Sequence, residues 1–155
     1  MFSERVSVIY YLLTRGYIPG VLTVVYRKTR GQLEFLLVKS KVSKAVTFPS
    51  GSLLIGEGEQ QSAARELLEE TGIKLANLVR IPLQHEFTYK LPIRLKSIQK
   101  IFIAEANNNK HEKPERSTDW ARWIRAKEVR RKLTHKELRQ TFNLVMEYIK
   151  RRRKI

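Results

Sequence analysis

The stretch "GSLLIGEGEQQSAARELLEETGI", residues 51–73, holds five carboxylates and one arginine, a local charge of −4 in a chain whose formal charge is +16. Its four glycines, Gly51, Gly56, Gly58 and Gly72, bracket a run from 59 to 70 that suits a helix, with Glu59 at the end that favours negative charge and Gly72 at the end that favours a left-handed cap. At about 100° per residue, Glu59, Glu66, Glu69 and Glu70 fall within one arc, and Ala64, Leu67 and Leu68 fall on another side. Such a helix buries one face and presents carboxylates from the other. Carboxylates this close repel, so they need a raised pKa or a counter-ion. A divalent cation is an economical one, and all-oxygen donors suit Mg²⁺ or Mn²⁺ better than zinc. A solvated helix face laced with ion pairs is the plain alternative, but Arg65 is the sole cation in the stretch.

The rest of the composition bounds the setting. The 155 residues suit one domain, with 42% apolar and 30% charged side chains. Cysteine is absent, which excludes a disulfide scaffold and a thiolate metal site and is compatible with a cytoplasmic location. No segment approaches the roughly 20 apolar residues of a membrane span, so no membrane partner is expected. Thirty-one Lys and Arg against fifteen Asp and Glu favour anionic partners such as nucleotides or nucleic acid. The run "KRRRK", 150–154, is expected to be a solvated tail, with nucleic acid phosphates as the sharper alternative.

Along the chain, β-branched "GVLTVVYR" (20–27) and "LEFLLVKS" (33–40) read as a strand pair about the turn at 28–31. "PLQHEFTYKLPIRL" (82–95), "KSIQKIFIAEA" (96–106) and "WARWI" (120–124) read as further strands. "AKEVRRKL" (126–133) and residues 135–150 read as helices, the second with Leu138, Phe142, Val145, Met146 and Ile149 on one face. Near the start, "VSVIYYLL" (6–13) reads as a core or edge strand, making residues 1–18 an extension that adds a strand or a contact surface. This irregular alternation predicts an α/β domain with a mixed sheet and helices packed on it.

Residues 51–73 also resemble the Nudix box, G-x5-E-x7-R-E-U-x-E-E-x-G-U with U a bulky apolar residue, at every fixed position: Gly51, Glu57, Arg65, Glu66, Leu67, Glu69, Glu70, Gly72 and Ile73. The resemblance covers most of the chain from about residue 20 to 150 and implies an α/β/α sandwich in which the box is a loop–helix–loop. It implies hydrolysis of a phosphoanhydride in a nucleoside diphosphate linked to another group, with Mg²⁺ or Mn²⁺ as cofactor. Glu69, Glu70 and the Ser50 carbonyl would be metal ligands. Glu66 would complete the shell or deprotonate the attacking water, and Glu57 would pair with Arg65 to fix the loop.

The second half of the chain resembles the diadenosine tetraphosphate hydrolases in its order of strands and helices and in "FPSG" (48–51). In such enzymes an aromatic stacks on adenine, which nominates Phe87 and Tyr89. Two positions depart from that group. Ser50 stands where lysine is usual, so Lys39, Lys41 or Lys44 would supply the phosphate contact. Ser117 stands where a further glutamate is usual, so Glu115, Glu112, Asp119 or Glu105 would supply a ligand or base, with Glu115 favoured. His85, His111 and His135 lack ligand spacing. The alternatives are an RNA 5′-end pyrophosphohydrolase, a nucleoside triphosphate or ADP-ribose pyrophosphatase, and a fold of this type that binds nucleotide or RNA without cleaving it. The oligomeric state is not legible.

Overall fold

A computed structural model describes residues 2–89, 93–107 and 118–153. Chain order runs α1 (Glu4–Arg15), β1 (Ile18–Thr29), β2 (Gln32–Ser40), β3 (Val46–Thr47), β4 (Ser50–Ser52), α2 (Glu59–Thr71), β5 (Val79–Tyr89), β6 (Leu95–Glu105), β7 (Thr118–Arg125), α3 (Ala126–Lys132) and α4 (Lys136–Arg153). The strands form one mixed sheet in the order β3-β2-β1-β6-β5, with β4 paired to β1 and β7 to β2. β1 and β6 pair in parallel, and the other ladders are antiparallel.

Alternation along the strands divides the interior into two apolar layers. On one face Leu22, Val24, Phe35, Leu37, Ile101 and Ile103 meet Val129 of α3 and Leu138, Phe142, Val145 and Ile149 of α4. On the other, Val21, Val25, Leu36 and Phe102 meet Tyr11 of α1 and Ala63 and Leu67 of α2. The arrangement is the expected α/β/α sandwich.

Three local expectations are corrected. Residues 6–13 are helical, not a strand. Ser3 accepts a hydrogen bond from the Val6 amide at 3.3 Å, and Gly16, at φ 75°, ends the helix. Its β-branched and aromatic residues mimic a strand because Val6, Ile9, Tyr10 and Leu13 stay exposed on the outer side. Second, α2 buries Ser62, Ala63, Leu67 and Thr71, whereas Leu68 is exposed and Ala64 only partly buried, so the covered face is rotated from the expected one. Third, the basic run does not leave the fold at 150, because α4 continues through Arg153, whose guanidinium lies 3.9 Å from the Glu105 carboxylate.

The layer under α4 centres on Phe142. It is fully buried, edge-on to Phe35 at 5.0 Å and stacked on Phe48 at 5.9 Å. Because Phe48 begins the turn into β4, this contact seats the sheet edge from which the carboxylate-rich segment departs. Phe142→Ala should lower the free energy of unfolding by about 3–5 kcal/mol. Urea unfolding followed by circular dichroism measures it.

Candidate active site

The acidic segment folds as a strand end, a loop, and then α2. Gly58 starts the helix, its N–H donating to Gln61 Oε1 at 3.0 Å. Gly72 closes it at φ 73° with its N–H on the Leu68 carbonyl at 2.8 Å. With Ala63 and Leu67 buried on the sheet, Arg65, Glu66, Glu69 and Glu70 are turned toward a cavity of about 310 Å³, which Lys39, Ser50, Gly51, Thr118 and Glu4 also line.

Arg65 organises these groups. Its Nε donates to Glu57 Oε2 at 2.7 Å and its Nη2 to Glu57 Oε1 at 3.0 Å, a bidentate fork. Its Nη1 reaches Glu66 Oε1 at 2.9 Å and Glu69 Oε2 at 3.2 Å, and Nη2 also donates to the Ser52 carbonyl at 3.3 Å. Glu70 accepts from the Ser50 amide at 3.2 Å, which sets its carboxylate beside the backbone of that residue. A methyl at Gly51 would overlap the carboxyl group of Glu66, so the glycine lets that carboxyl lie against the backbone, and any side chain there would displace it.

Burial acts on Glu57 to raise its pKa, but the Arg65 fork and the Leu54 amide outweigh it and hold the carboxyl below its ordinary value. Hydrogen bonding to Glu57, against some desolvation, keeps Arg65 firmly protonated. Glu66 goes the other way. Desolvation pushes it up to about 7, Arg65 opposes this, and Glu69 and Glu4 add to it.

Among the described residues no three His, Asp or Glu side chains stand together as a preassembled metal cage. The donor set nevertheless fits a hard divalent cation: oxygen donors on one helix face border one cavity, and Glu66 is poised to lose a proton to a cation.

A larger groove of about 1190 Å³ adjoins the cavity, sharing Glu4, Thr47, Ser50 and Gly51 with it. Phe87 and Tyr89 line it, edge-to-face at 4.8 Å, as do Arg94, just before β6, and Lys96, near the start of β6 and paired with Glu86 at 3.2 Å. His85 and His135 line it too. His85 is a buried strand residue bonded to Thr141 Oγ1 at 2.8 Å, and desolvation lowers its pKa.

Lys39 therefore borders the cavity, whereas Lys41 and Lys44 border neither space. Glu59 leaves the carboxylate group for Arg80, at 3.4 Å. Asp119 is exposed and stands off the cavity wall that Thr118 lines, at the point where the β2–β7 register shifts and leaves it unpaired in the ladder. Glu105 faces Arg153. Glu115, Glu112 and His111 lie outside the described residues. Arg94, Lys96, Thr118 and Glu4 were missed. For Glu4 there was a signal: a serine immediately before an acidic residue is a helix start.

The NUDIX domain family model matches residues 16–145. The chain belongs to this family. As a NUDIX protein it is a hydrolase of acid anhydrides, a class that generally uses divalent metal ions. The Ap4A hydrolase of C. elegans, solved as a binary complex, is similar at 20% identity and TM-score 0.71, covering 85% of this chain and 97% of that one. The NUDIX domain of Shewanella oneidensis NrtR, complexed with ADP ribose, is similar at 16% identity and TM-score 0.74, covering 91% and 97%. The E. coli dihydroneopterin triphosphate pyrophosphohydrolase is similar at 17% identity and TM-score 0.65, covering 83% and 95%. At these identities the likeness is one of fold. A sequence comparison with curated proteins returns no significant match. Among the described residues no helix is long and apolar enough to cross a membrane.

The raised Glu66 carboxyl gives the NUDIX domain a pH signature when metal is removed. Between pH 4.5 and about 7 the folded state keeps a proton that the unfolded chain has released, so stability falls as pH rises through that window. Above it the cost is about 3 kcal/mol. Glu57, whose pKa is lowered, loses its contribution only at more acidic pH, outside the window, whereas the lowered pKa of His85 makes stability rise with pH below about 6.5 and partly offsets Glu66. Urea unfolding in chelator at pH 5 and pH 8 measures the sum, and Glu66→Gln should raise the stability at pH 8 relative to that at pH 5 compared with the wild type.

Proposed function

We propose that this protein cleaves a dinucleoside polyphosphate, diadenosine tetraphosphate to ATP and AMP, with Mg²⁺ or Mn²⁺. The observation that carries the reading is the junction of the two spaces: the carboxylate cavity opens into a groove bearing an edge-to-face aromatic pair and two cations. That pairing supplies a cutting site beside a site for a nucleoside and its phosphates.

Glu69, Glu70 and the Ser50 carbonyl would hold the cation, which when bound offsets phosphate charge and acidifies a water. Glu66, near neutrality in its pKa, accepts the proton of the attacking water. The bond formed is water oxygen to phosphorus, and the bond broken is the phosphoanhydride bridge. Arg65 does not touch substrate in this scheme. It is a positioning residue that fixes Glu57 and the loop while orienting Glu66 and Glu69. Lys39 contacts phosphate oxygens from the far wall of the cavity. Phe87 or Tyr89 stacks on the base, and Arg94 and Lys96 draw in the polyphosphate.

The basic side chains concentrated in α3 and α4 support a second reading, hydrolysis at the 5′ end of RNA, where phosphate contacts dominate affinity. A chromatographic panel of diadenosine tetraphosphate, nucleoside triphosphates, ADP-ribose and 5′-triphosphorylated RNA decides between them. The expected outcome is ATP and AMP in equal amounts, abolished by Glu70→Gln. Much faster turnover of RNA replaces the first reading with the second. RNA or nucleotide binding without turnover of any of them makes the protein a binding module.

Stacking of a base on an aromatic is worth about 1–3 kcal/mol, so Tyr89→Ala should raise KM for the dinucleotide about tenfold while leaving kcat nearly unchanged. Steady-state kinetics checks this.

A further inference from the structure

On the face of the sheet that α4 covers, β6 changes character along its length. Ile101 and Ile103 pack into the apolar layer, but the two preceding positions on that face, Ser97 and Gln99, are polar and still buried. The antiparallel ladder sets His85 of β5 opposite Gln99, and Phe87 opposite Ser97. Residues directly opposite in such a ladder share a face, with Cβ atoms about 4.5–5.5 Å apart. His85 and Gln99 are thus a polar pair on the floor of the groove, which both of them line, beside Phe87 and Tyr89.

The polar groups on this floor are unequally satisfied. Ser97 donates its hydroxyl proton to the Ile18 carbonyl at 3.0 Å. His85 Nδ1 lies 2.8 Å from Thr141 Oγ1, and its ring stacks on Phe87 with centroids 5.7 Å apart. Burial lowers the pKa of His85, so the ring is neutral at pH 7. The Thr141 hydroxyl has no other acceptor among the described residues; donating to Nδ1, it leaves the ring proton on Nε2. Gln99 is 5% exposed, and its side-chain amide makes no hydrogen bond among the described residues. Its stem lies over Gly20, its partner in the parallel ladder, where a methyl would come within 3.3 Å of Gln99 Cγ and 2.6 Å of the Gly51 carbonyl. The bare glycine therefore berths the amide next to Gly51, where groove and cavity meet.

A buried amide with nothing to bond is a standing cost to the fold. A ligand in the groove removes that cost if it offers a donor and an acceptor side by side. The edge of adenine does so. Its amino group donates to the carboxamide oxygen, and its ring nitrogens accept from the carboxamide and imidazole N–H groups. Uncharged groups suit a base edge better than a phosphate, for which Arg94 lines the same groove. We propose that Gln99 and His85 read the base: they bind the edge of an adenine ring stacked on Phe87 or Tyr89 and make the groove selective for adenine nucleotides. The proposal rests on the reading of the groove as the nucleoside site.

Equilibrium binding of AMP, GMP, purine riboside 5′-monophosphate and pyrophosphate to the full chain, by titration calorimetry, tests it without reference to turnover. AMP should bind about tenfold more tightly than GMP or the purine riboside nucleotide, which lacks the amino group. Gln99→Leu should erase that preference and leave pyrophosphate binding unchanged. Its melting temperature should be unchanged or higher, because leucine removes an unpaired buried amide, whereas a residue that only packs would shift stability and no preference. His85→Phe with Thr141→Val removes the N–H without stranding the Thr141 hydroxyl, and should weaken AMP about as much. If the three nucleotides bind alike, if either variant keeps the preference, or if Gln99→Leu weakens pyrophosphate as much as AMP, the proposal is overturned and the groove reading stands. If none of the three nucleotides binds, both fall. Should Gln99→Leu lower melting, Gln99→Met decides: a lost preference supports the role, and a kept one overturns it.

Discussion

The guanidinium of Arg65 lies among five oxygen acceptors: both oxygens of Glu57, one each of Glu66 and Glu69, and the Ser52 carbonyl. Without it the cavity would gather like charges at contact distance, and Glu57, nearly buried, would have no counter-charge. Stripping a buried pair of one member costs about 3–5 kcal/mol, much of it from the charge left behind. The same cation does two things at once. The fork to Glu57 closes the loop between β4 and α2, and the bonds from Nη1 hold Glu66 and Glu69 on the carboxylate face of α2. In the proposed scheme a divalent ion would compete with Nη1 for Glu66 and Glu69, and the fork to Glu57 need not break for it to do so.

Around that centre the sheet supplies rigidity. α2 rests on β1 through Ala63 and Leu67, and β4 rests on β1 through the register Val21↔Gly51. The two walls of the cavity are thus referenced to one buried strand. Gly51 lets the Glu66 carboxyl lie against the backbone, which removes it from water and brings its pKa into the neutral range. Geometry and protonation at this residue have one cause. α1 is referenced to the same place by its two bonds onto residues 54 and 55.

The box was legible because its signals agree: bracketing glycines, a charge opposite in sign to the chain, and carboxylates at helical spacing. The central strands were legible from β-branched runs, and α4 from its apolar face. What failed did so for tertiary reasons. The segment 6–13 has strand-like composition, but Ser3 and Gly16 cap it and Ser7 and Tyr11 dock it, neither of which composition reveals. The position of the buried stripe on α2 depends on where β1 lies, so Leu68 and Glu59 were assigned to the wrong sides. Asp119 looked as good as any carboxylate, but it falls at a register shift of the β2–β7 ladder and is exposed, off the cavity wall. Lys39 lies on β2 and reaches the cavity wall, whereas Lys41 and Lys44 follow the end of that strand at Ser40 and border neither space.

The parallel ladder between β1 and β6 runs from Ile18↔Ser97 to Tyr26↔Glu105. Every paired residue is about 80 positions from its mate, so the middle of the sheet is joined by contacts between distant parts of the chain. The hairpin of β1 and β2 and the helix α2 can form as soon as they are synthesised, but β1 must wait, with one edge bare, until β6 exists. During synthesis that bare, apolar edge is an adhesive surface for other nascent chains, so the yield of native protein should depend on elongation speed and on chaperones that shield strand edges.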